Sequence, residues 1–305
     1  MTFVQQVRDL TATLPASFPI DPTRVMVGLD IDGTIMRPRG VSKRVRDTWE
    51  SLNAAGVAVV IATGRGIPAT RLLLEDAGVS SSWAVCSNGA ILAHWDGREL
   101  TPVTTHLMDP RPAIRKALTS FTDVTLAVET SEGEAPGYLA NRSFAHEELA
   151  GTEIVVSDSA LLEVRATTKL VVRAPALSRE GFAVQLDRAM SERGWRTGAS
   201  PVADLYEYSV GWSPWADFGP KGRTKATGLA ELAHDLQIPS SGTVMVGDGD
   251  NDLPAFAWAG HAVAMGQASA HVRARADAVT GTLGDDGAAA IMQAILRHVG
   301  PGVAA

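Results

Sequence analysis

Two short apolar segments near opposite ends of this 305-residue chain each run directly into a group of aspartates. Residues 25–29 precede Asp30 and Asp32, and residues 243–246 precede a loop with three aspartates in five positions. Fully apolar segments of this length, bounded by glycine-containing turns, are typical of parallel strands covered by helices on both faces. We therefore expect both acidic groups at the carboxyl ends of strands, where open α/β sheets bind ligands.

The middle of the chain has a different pattern from its two ends. Buried segments at 57–62 and 83–86 and an amphipathic helix around 229–236 continue the strand–helix alternation of the ends. The middle instead predicts a separate α+β unit. Its predicted strands are 124–128, 154–156, 169–173 and 205–210, and its predicted helix is 178–193.

The simplest organisation that accounts for this change is a discontinuous core with a second domain inserted into it. We expect an α/β fold with a Rossmann-like parallel-sheet core formed by residues 1–101 and 213–305. The inserted α+β domain is expected at 102–212, and residues 1–24 are expected to form an N-terminal extension of the core.

Composition excludes several other classes of protein. The net charge of −7 disfavours a large phosphate-backbone footprint, so we expect no nucleic-acid partner. A single cysteine, Cys86, excludes an intramolecular disulfide and a cysteine-cluster zinc site. The longest uncharged stretch, 253–272, contains proline, glycines and two histidines, which argues against a membrane span. Residues 1–24 lack the pattern of a signal peptide, and we expect a cytoplasmic protein.

The acidic groups themselves indicate a cation. Asp30 and Asp32 are two positions apart, so their side chains point to the same side of an extended segment. Asp248, Asp250 and Asp252 repel one another and need a cation or protonation to share a pocket. An EF-hand is excluded, because the twelfth position counted from Asp248 is alanine rather than glutamate. The alternatives are a simple turn for the first group and a solvated loop for the second.

Two further segments indicate phosphate chemistry. Thr63, Gly64 and Arg65 end the second predicted strand with a hydroxyl, open backbone N–H groups and a guanidinium, which suit phosphate oxygens. The alternative for Thr63 is a helix cap. Lys221 and Lys225 lie at the start of the amphipathic helix, where a cation opposes the helix dipole and an anion nearby is the expected compensation. An exposed lysine is the alternative, and it is favoured for Lys221.

Four features occur in a fixed order along the chain: DIDGT (30–34), IATGR (61–65), a lysine that opens a helix, and VGDGDNDL (246–253). In this order they resemble the haloacid dehalogenase (HAD) superfamily of phosphatases, in particular the Cof-like branch with an inserted type IIB cap. Other segments similar to this branch are SNGA (87–90), AMGQA (264–268), ADAVT (276–280) and DDG (285–287). One departure is Gln267, which replaces the asparagine usual in the branch.

The resemblance implies catalytic roles for four residues. Asp30 would be the nucleophile that forms an aspartyl-phosphate, and Asp32 would be the acid/base. Thr63 would hydrogen-bond the transferring phosphoryl group, and Lys225 would neutralise charge on it and on Asp30. A carboxylate attacks a phosphate dianion only when positive charge cancels their repulsion, which accounts for the lysine and for a metal ion.

The resemblance also implies a Mg²⁺ site and a substrate site. The implied metal site comprises Asp30, Asp32 through its backbone carbonyl, and Asp248, with Asn251 and Asp252 ligating or holding the outer shell. The implied substrate contacts are Thr63, Gly64, Arg65, Asn88 and Lys225.

The expected function is that of a Mg²⁺-dependent phosphoric monoester hydrolase that acts on small phosphorylated metabolites such as sugar phosphates. The alternatives are a phosphosugar mutase or phosphotransferase on the same scaffold, and a non-catalytic phosphate-ester binding module. Arginines on strand faces are more often solvated than ligand-binding, and tryptophans are more often packed. With that reservation, candidates for leaving-group contacts in the inserted domain are Arg142, Arg165, Lys169, Arg173, Trp212 and Trp215.

Overall fold

The computed structural model describes residues 2–130, 137–144, 149, 152–192, 201–211 and 213–300. The α-helices, in chain order, are α1 (Phe3–Thr13), α2 (Lys43–Ala55), α3 (Ile67–Ala77), α4 (Arg111–Ser120), α5 (Asp158–Leu161), α6 (Arg179–Ser191), α7 (Lys225–Asp235), α8 (Leu253–Trp258), α9 (Ala270–Arg273) and α10 (Gly287–Val299). The strands are β1 (Met26–Leu29), β2 (Met36–Arg37), β3 (Gly40–Val41), β4 (Ala58–Ala62), β5 (Ser82–Cys86), β6 (Ile91–Trp95), β7 (Leu100–Thr105), β8 (Thr125–Thr130), β9 (Gly137–Ala140), β10 (Thr152–Val155), β11 (Leu170–Arg173), β12 (Tyr206–Val210), β13 (Trp215–Pro220), β14 (Thr243–Gly247), β15 (His261–Ala264) and β16 (Ala278–Val279).

The chain divides into two compact units. The first, called here the core unit, comprises the described residues within Met1–Thr63, Thr70–Thr104 and Thr224–Ala305. The second, called here the inserted unit, comprises those within Gly64–Ala69 and Thr105–Arg223. The sequence predicts two independent domains with boundaries after residues 101 and 212, and this stays a prediction.

The core unit is built on an eight-stranded sheet of mostly parallel strands. The strand order is β16-β15-β14-β1-β4-β5-β6-β7, and β1 lies between β4 and β14, parallel to both. All four residues of β1 and all five of β14 are buried, as expected for strands covered on both faces. The predicted buried segments are thus confirmed as β1, β4, β5 and β14, and the predicted α/β class is correct.

Two helices at the chain termini of the core unit pack against each other. α1, which lies within the extension expected at residues 1–24, contacts α10. Thr13 at the end of α1 also lies 3.1 Å from Nε2 of His261, on β15. The N-terminal segment is therefore an integral layer of the core unit.

The inserted unit contains a six-stranded sheet in the order β10-β9-β8-β11-β13-β12. Ile114, Leu126 and Phe182 lie in the apolar cluster that joins this sheet to α4 and α6. The strands and the helix predicted for the middle of the chain are confirmed as β8, β10, β11, β12 and α6, although Arg193 at the predicted helix end lies outside the described residues. None of the described helices is long and apolar enough to cross a bilayer.

Candidate active site

The carboxyl ends of β1 and β14 meet at one edge of the core sheet. Leu29 is paired with Val246 in the parallel register, and the backbone N–H of Asp30 donates to the carbonyl of Val246 at 3.0 Å. Asp248 follows β14 by one residue. This register brings the two acidic motifs of the sequence side by side.

Three carboxylates converge at this edge. Asp30, Asp248 and Asp252 each offer one oxygen, and these oxygens all lie within 4.8 Å of one another. Asp30 and Asp252 are buried, and Asp248 is half-buried. Carboxylate oxygens are the ligands that hard divalent cations prefer, so the donor set fits such an ion.

The ammonium of Lys225 lies within this carboxylate cluster. It donates to Oδ1 of Asp30 at 2.5 Å and to Oδ1 of Asp252 at 2.6 Å, and it is 1% exposed. Lys225 is the first residue of α7, whose start is fixed by reciprocal hydrogen bonds between Thr224 and Thr227. Although burial disfavours its charged form, the two aspartates hold the pKa of Lys225 above its usual range.

Asp252 uses both of its carboxylate oxygens on the protein. Oδ1 accepts from Lys225, and Oδ2 accepts from the backbone N–H groups of Asp248 and Gly249, each at 3.0 Å. A carboxylate occupied in this way orients its neighbours, so Asp252 serves to hold the loop and the lysine in place. Asn251, beside it, is half-buried in the short helical turn Asp250–Asp252.

The negative charge of the cluster exceeds the single lysine charge. Burial raises the pKa of Asp30 to about 8, against the attraction of Lys225, and Asp252 and Asp32 add to the increase. Burial and Asp252 likewise raise the pKa of Asp248 to about 6. Both carboxyls are therefore stabilised by a proton or by a nearby cation.

The loop after β1 packs directly against Asp248. Gly33 has a φ of +82°, and a Cβ at this position would lie 2.1 Å from Oδ2 of Asp248. Only glycine accommodates both the backbone conformation and the close approach. Asp32, one residue earlier, is exposed at the rim of the cluster.

A second group of predicted site residues lies at the ends of β4 and β5. Thr63 is 1% exposed, its N–H donates to Val85, and its carbonyl accepts from the N–H of Asn88 at 3.0 Å. A Cβ on Gly89 would lie 2.1 Å from the carbonyl of Thr224, so this turn packs against the start of α7. The glycine keeps the turn and the lysine-bearing helix close together.

Asn88 has two properties of a functional residue. Its φ is +51°, in the left-handed region that non-glycine residues seldom occupy. Its side-chain Oδ1 is buried and accepts no hydrogen bond from the part of the chain that the structure describes. A buried acceptor without a donor is costly, and such groups are expected to meet a ligand or water.

Gly64 and Arg65 follow Thr63 in the chain and belong to the inserted unit. Within that unit, Nζ of Lys169 donates to the carbonyl of Gly64 at 2.9 Å and lies 3.0 Å from Oδ1 of Asp217. Lys169 is thus paired with a carboxylate, which argues against its use as a site for a second anionic group. Lys221 donates to the carbonyl of Tyr206 in the same unit, whereas Lys225 of the core unit donates to Asp30.

The other candidates of the inserted unit have ordinary surroundings. Arg142 forms an ion pair with Asp123 on the surface. Trp215 packs edge-on against Phe144, as tryptophans usually do. Arg165 is exposed and Arg173 is half-buried, while Trp212 lies outside the described residues.

One contact of the site was not anticipated from the sequence. The amide of Gln267 donates to the carbonyl of Gly33 at 2.5 Å, next to the carboxylate cluster. Its only sequence signal is the departure from the asparagine usual at this position.

Comparisons with known proteins identify the family of this chain. A family model of haloacid dehalogenase-like hydrolases matches residues 27–292. The phosphatase YwpJ of Bacillus subtilis is 25% identical over 89% of this chain and 99% of its own length. A phosphoglycolate phosphatase of Halobacterium salinarum is 26% identical over 86% of this chain and 92% of its own length.

Solved structures share the fold. The phosphatase BT1666 of Bacteroides thetaiotaomicron has a TM-score of 0.68 at 24% identity, covering 93% of this chain and 98% of its own. The HAD subclass IIB sugar phosphatase BT4131 has a TM-score of 0.65 at 22% identity, covering 87% and 96%. Because the family model spans most of the sequence and the relatives over that span are phosphatases, the chain belongs to the haloacid dehalogenase-like hydrolase family and is a phosphatase.

Proposed function

We propose that this chain is a Mg²⁺-dependent phosphatase of small phosphorylated metabolites that works through an aspartyl-phosphate on Asp30. The observation that carries the proposal is the buried ammonium of Lys225, 2.5 Å from Asp30 in a cluster of three carboxylates. An anionic nucleophile can approach a phosphate dianion only where positive charge is fixed beside it.

The proposed metal site uses the oxygen donors at the ends of β1 and β14. Asp30, Asp248 and the backbone carbonyl of Asp32 would ligate Mg²⁺. Asp252 would orient Lys225 and the Asp248 loop, since both of its oxygens accept from protein donors. When bound, Mg²⁺ supplies positive charge that neutralises the phosphoryl oxygens and Asp30.

The proposed chemistry proceeds in two steps. A carboxylate oxygen of Asp30 attacks phosphorus, the ester P–O bond breaks, and exposed Asp32 donates a proton to the departing alkoxide. A water molecule then attacks the phosphorus of the aspartyl-phosphate, Asp32 takes its proton, and inorganic phosphate leaves with Asp30 restored. Lys225 stabilises the charge on the transferring group throughout, since its two carboxylate partners keep it protonated.

The second group of site residues, at the ends of β4 and β5, would recognise the substrate. The buried Oδ1 of Asn88 accepts no hydrogen bond from the described chain and would take one from a hydroxyl of the substrate. Thr63 would donate to the phosphoryl group, with Gly64 and Arg65 supplying further contacts from the following turn. The sugar phosphatase and the phosphoglycolate phosphatase among the similar proteins support a small organic phosphate as the substrate class.

The test is phosphate release from a panel of phosphorylated metabolites with and without Mg²⁺. We expect turnover with Mg²⁺, near-complete loss on chelation, and loss in Asp30→Asn. Intact-protein mass spectrometry of Asp32→Asn after exposure to a nitrophenyl phosphate should show one added phosphoryl group, because this leaving group departs without a proton whereas hydrolysis of the intermediate still needs a base. Transfer to a second sugar without phosphate release would favour a phosphotransferase instead. Full turnover by Asp30→Asn would overturn the proposal.

A further inference from the structure

Gln267 lies in the loop between β15 and α9, and every polar group of its amide is engaged. The side-chain nitrogen donates to the carbonyl of Gly33 at 2.5 Å. The side-chain oxygen accepts from the backbone N–H of Leu283 at 3.0 Å. The carbonyl of Gly33 can only accept a hydrogen bond and the N–H of Leu283 can only donate one, so these two partners set the orientation of the amide.

The loop that this amide holds lies against the carboxylate cluster, and the polar side chain of Gln267 lowers the pKa of Asp248 against the larger effect of burial. The backbone of Gly33 approaches this carboxylate so closely that a Cβ would lie 2.1 Å from its Oδ2. The amide therefore ties the loop after β1 to Leu283, and that loop in turn lies against the carboxylate after β14.

We propose that Gln267 is a positioning residue: it holds the Gly33 loop against Asp248 and so keeps this carboxylate in place for a divalent cation. Its hydrogen bonds go to the backbone of Gly33 and Leu283, so it acts through these segments. Carboxylates that bind metal ions are themselves held by hydrogen bonds, and loss of such a partner weakens metal binding. The inference rests on the proposed metal-dependent function and adds a residue whose role the sequence resemblance does not assign.

The loop that contains Leu283 does not depend on Gln267 for its position. Arg37 donates to the carbonyl of Leu283 at 2.6 Å and to Oδ1 of Asp286 at 2.5 Å. Ser42 donates to the same carboxylate at 2.6 Å. Since this loop has its own anchors, it is a fixed support, and the connection to Gly33 and Asp248 is what Gln267 adds.

The experiment is Mg²⁺ titration by calorimetry on the full chain without substrate, comparing wild type with Gln267→Met. Methionine keeps the length of the side chain and removes all of its hydrogen bonds. Gln5→Met is the matched control, because Gln5 is an exposed glutamine on α1 whose amide donates to Asp9. We expect the dissociation constant for Mg²⁺ to rise about 10-fold or more in Gln267→Met. Gln5→Met should bind as wild type does, and the two metal-free variants should melt at similar temperatures.

The outcomes separate this inference from the proposed function. If wild type binds Mg²⁺ and Gln267→Met binds it equally well, the positioning role is wrong and the proposed function stands. A metal-free Gln267→Met that melts well below Gln5→Met while binding Mg²⁺ normally would make Gln267 structural only. If wild type itself binds no Mg²⁺, the metal dependence and this inference both fail.

Discussion

Nζ of Lys225 lies 2.5 Å from Oδ1 of Asp30, although the two residues are 195 positions apart and both are buried. A lysine in the first turn of a helix opposes the helix dipole, so its position there requires compensating anions. Asp30 and Asp252 supply that compensation. The pair links the stability of the core unit to the chemistry of the site.

Replacement of Lys225 by methionine should impair both stability and activity. The change leaves two buried carboxylates without their cation, and breaking a buried ion pair in this way costs about 3–5 kcal/mol. We expect a lower free energy of unfolding in denaturant titration without Mg²⁺ and a loss of about 10²–10³ in turnover. Lys221→Met is the control, since that side chain is 57% exposed and should unfold and turn over as wild type does. Equal stability of the two variants would contradict the argument.

Gly33→Ala should weaken Mg²⁺ binding, in addition to the loss of folding stability that an alanine in the left-handed conformation causes. That backbone conformation costs about 1–2 kcal/mol in any residue with a Cβ. The control is Gly78→Ala, where φ is +63° and a Cβ would meet nothing within 4 Å. Both variants should lose similar stability from the backbone, but only Gly33→Ala displaces the Asp248 carboxylate and lowers Mg²⁺ affinity in calorimetry. Unchanged affinity in Gly33→Ala would show that the loop adjusts without moving the carboxylate.

Asp248→Asn should reduce Mg²⁺ affinity, whereas Asp250→Asn should not. Both positions lie in the same loop, but Asp248 belongs to the carboxylate cluster and Asp250 is exposed. Loss of a ligand charge weakens a hard-cation site, and a solvated carboxylate outside the site contributes little. Mg²⁺ titration of the two variants tests this difference. Similar losses in both would indicate that only the total charge of the loop matters.

The stability of the metal-free protein should fall as pH rises from about 4 to about 8. Burial raises the pKa values of Asp30 and Asp248 to about 8 and about 6, so the folded state binds more protons than the unfolded state in this range. Mg²⁺ competes with these protons, so its affinity should increase over the same range.

Denaturant unfolding at several pH values, with and without Mg²⁺, measures both effects. Asp248→Asn removes one of the titrating groups and should flatten the metal-free profile near pH 6 relative to wild type. If stability without Mg²⁺ depends on pH in the same way in the variant and in wild type, Asp248 does not contribute to the pH dependence.

Much of the fold follows from local patterns. The segments at 25–29 and 243–246 could be identified as strands of a parallel sheet, because apolar side chains on both faces require helices above and below. That they are neighbours was decided by the structure. That Asp30 and Asp248 lie at one edge follows from the same argument, since parallel strands share their carboxyl ends. The helix α7 could be predicted from the regular apolar period around 229–236, although this period left both Lys221 and Lys225 at its start.

The direction of individual side chains could not be obtained in this way. Asp248, Asp250 and Asp252 are one residue type within five positions, and only the helical turn over Asp250–Asp252 decides that the second points to solvent while the third is buried against Lys225. Nor does any local pattern bring Gln267 to Gly33, 234 positions away.

The sequence by itself determined the buried strands β1, β4, β5 and β14 and the acidic residues that follow two of them, because these depend on apolar periodicity and residue type along the chain. Only the tertiary structure decided which carboxylates share the ammonium of Lys225 and which hold a loop. Those contacts depend on how distant segments pack, because a shift much smaller than the length of one residue makes or breaks a hydrogen bond.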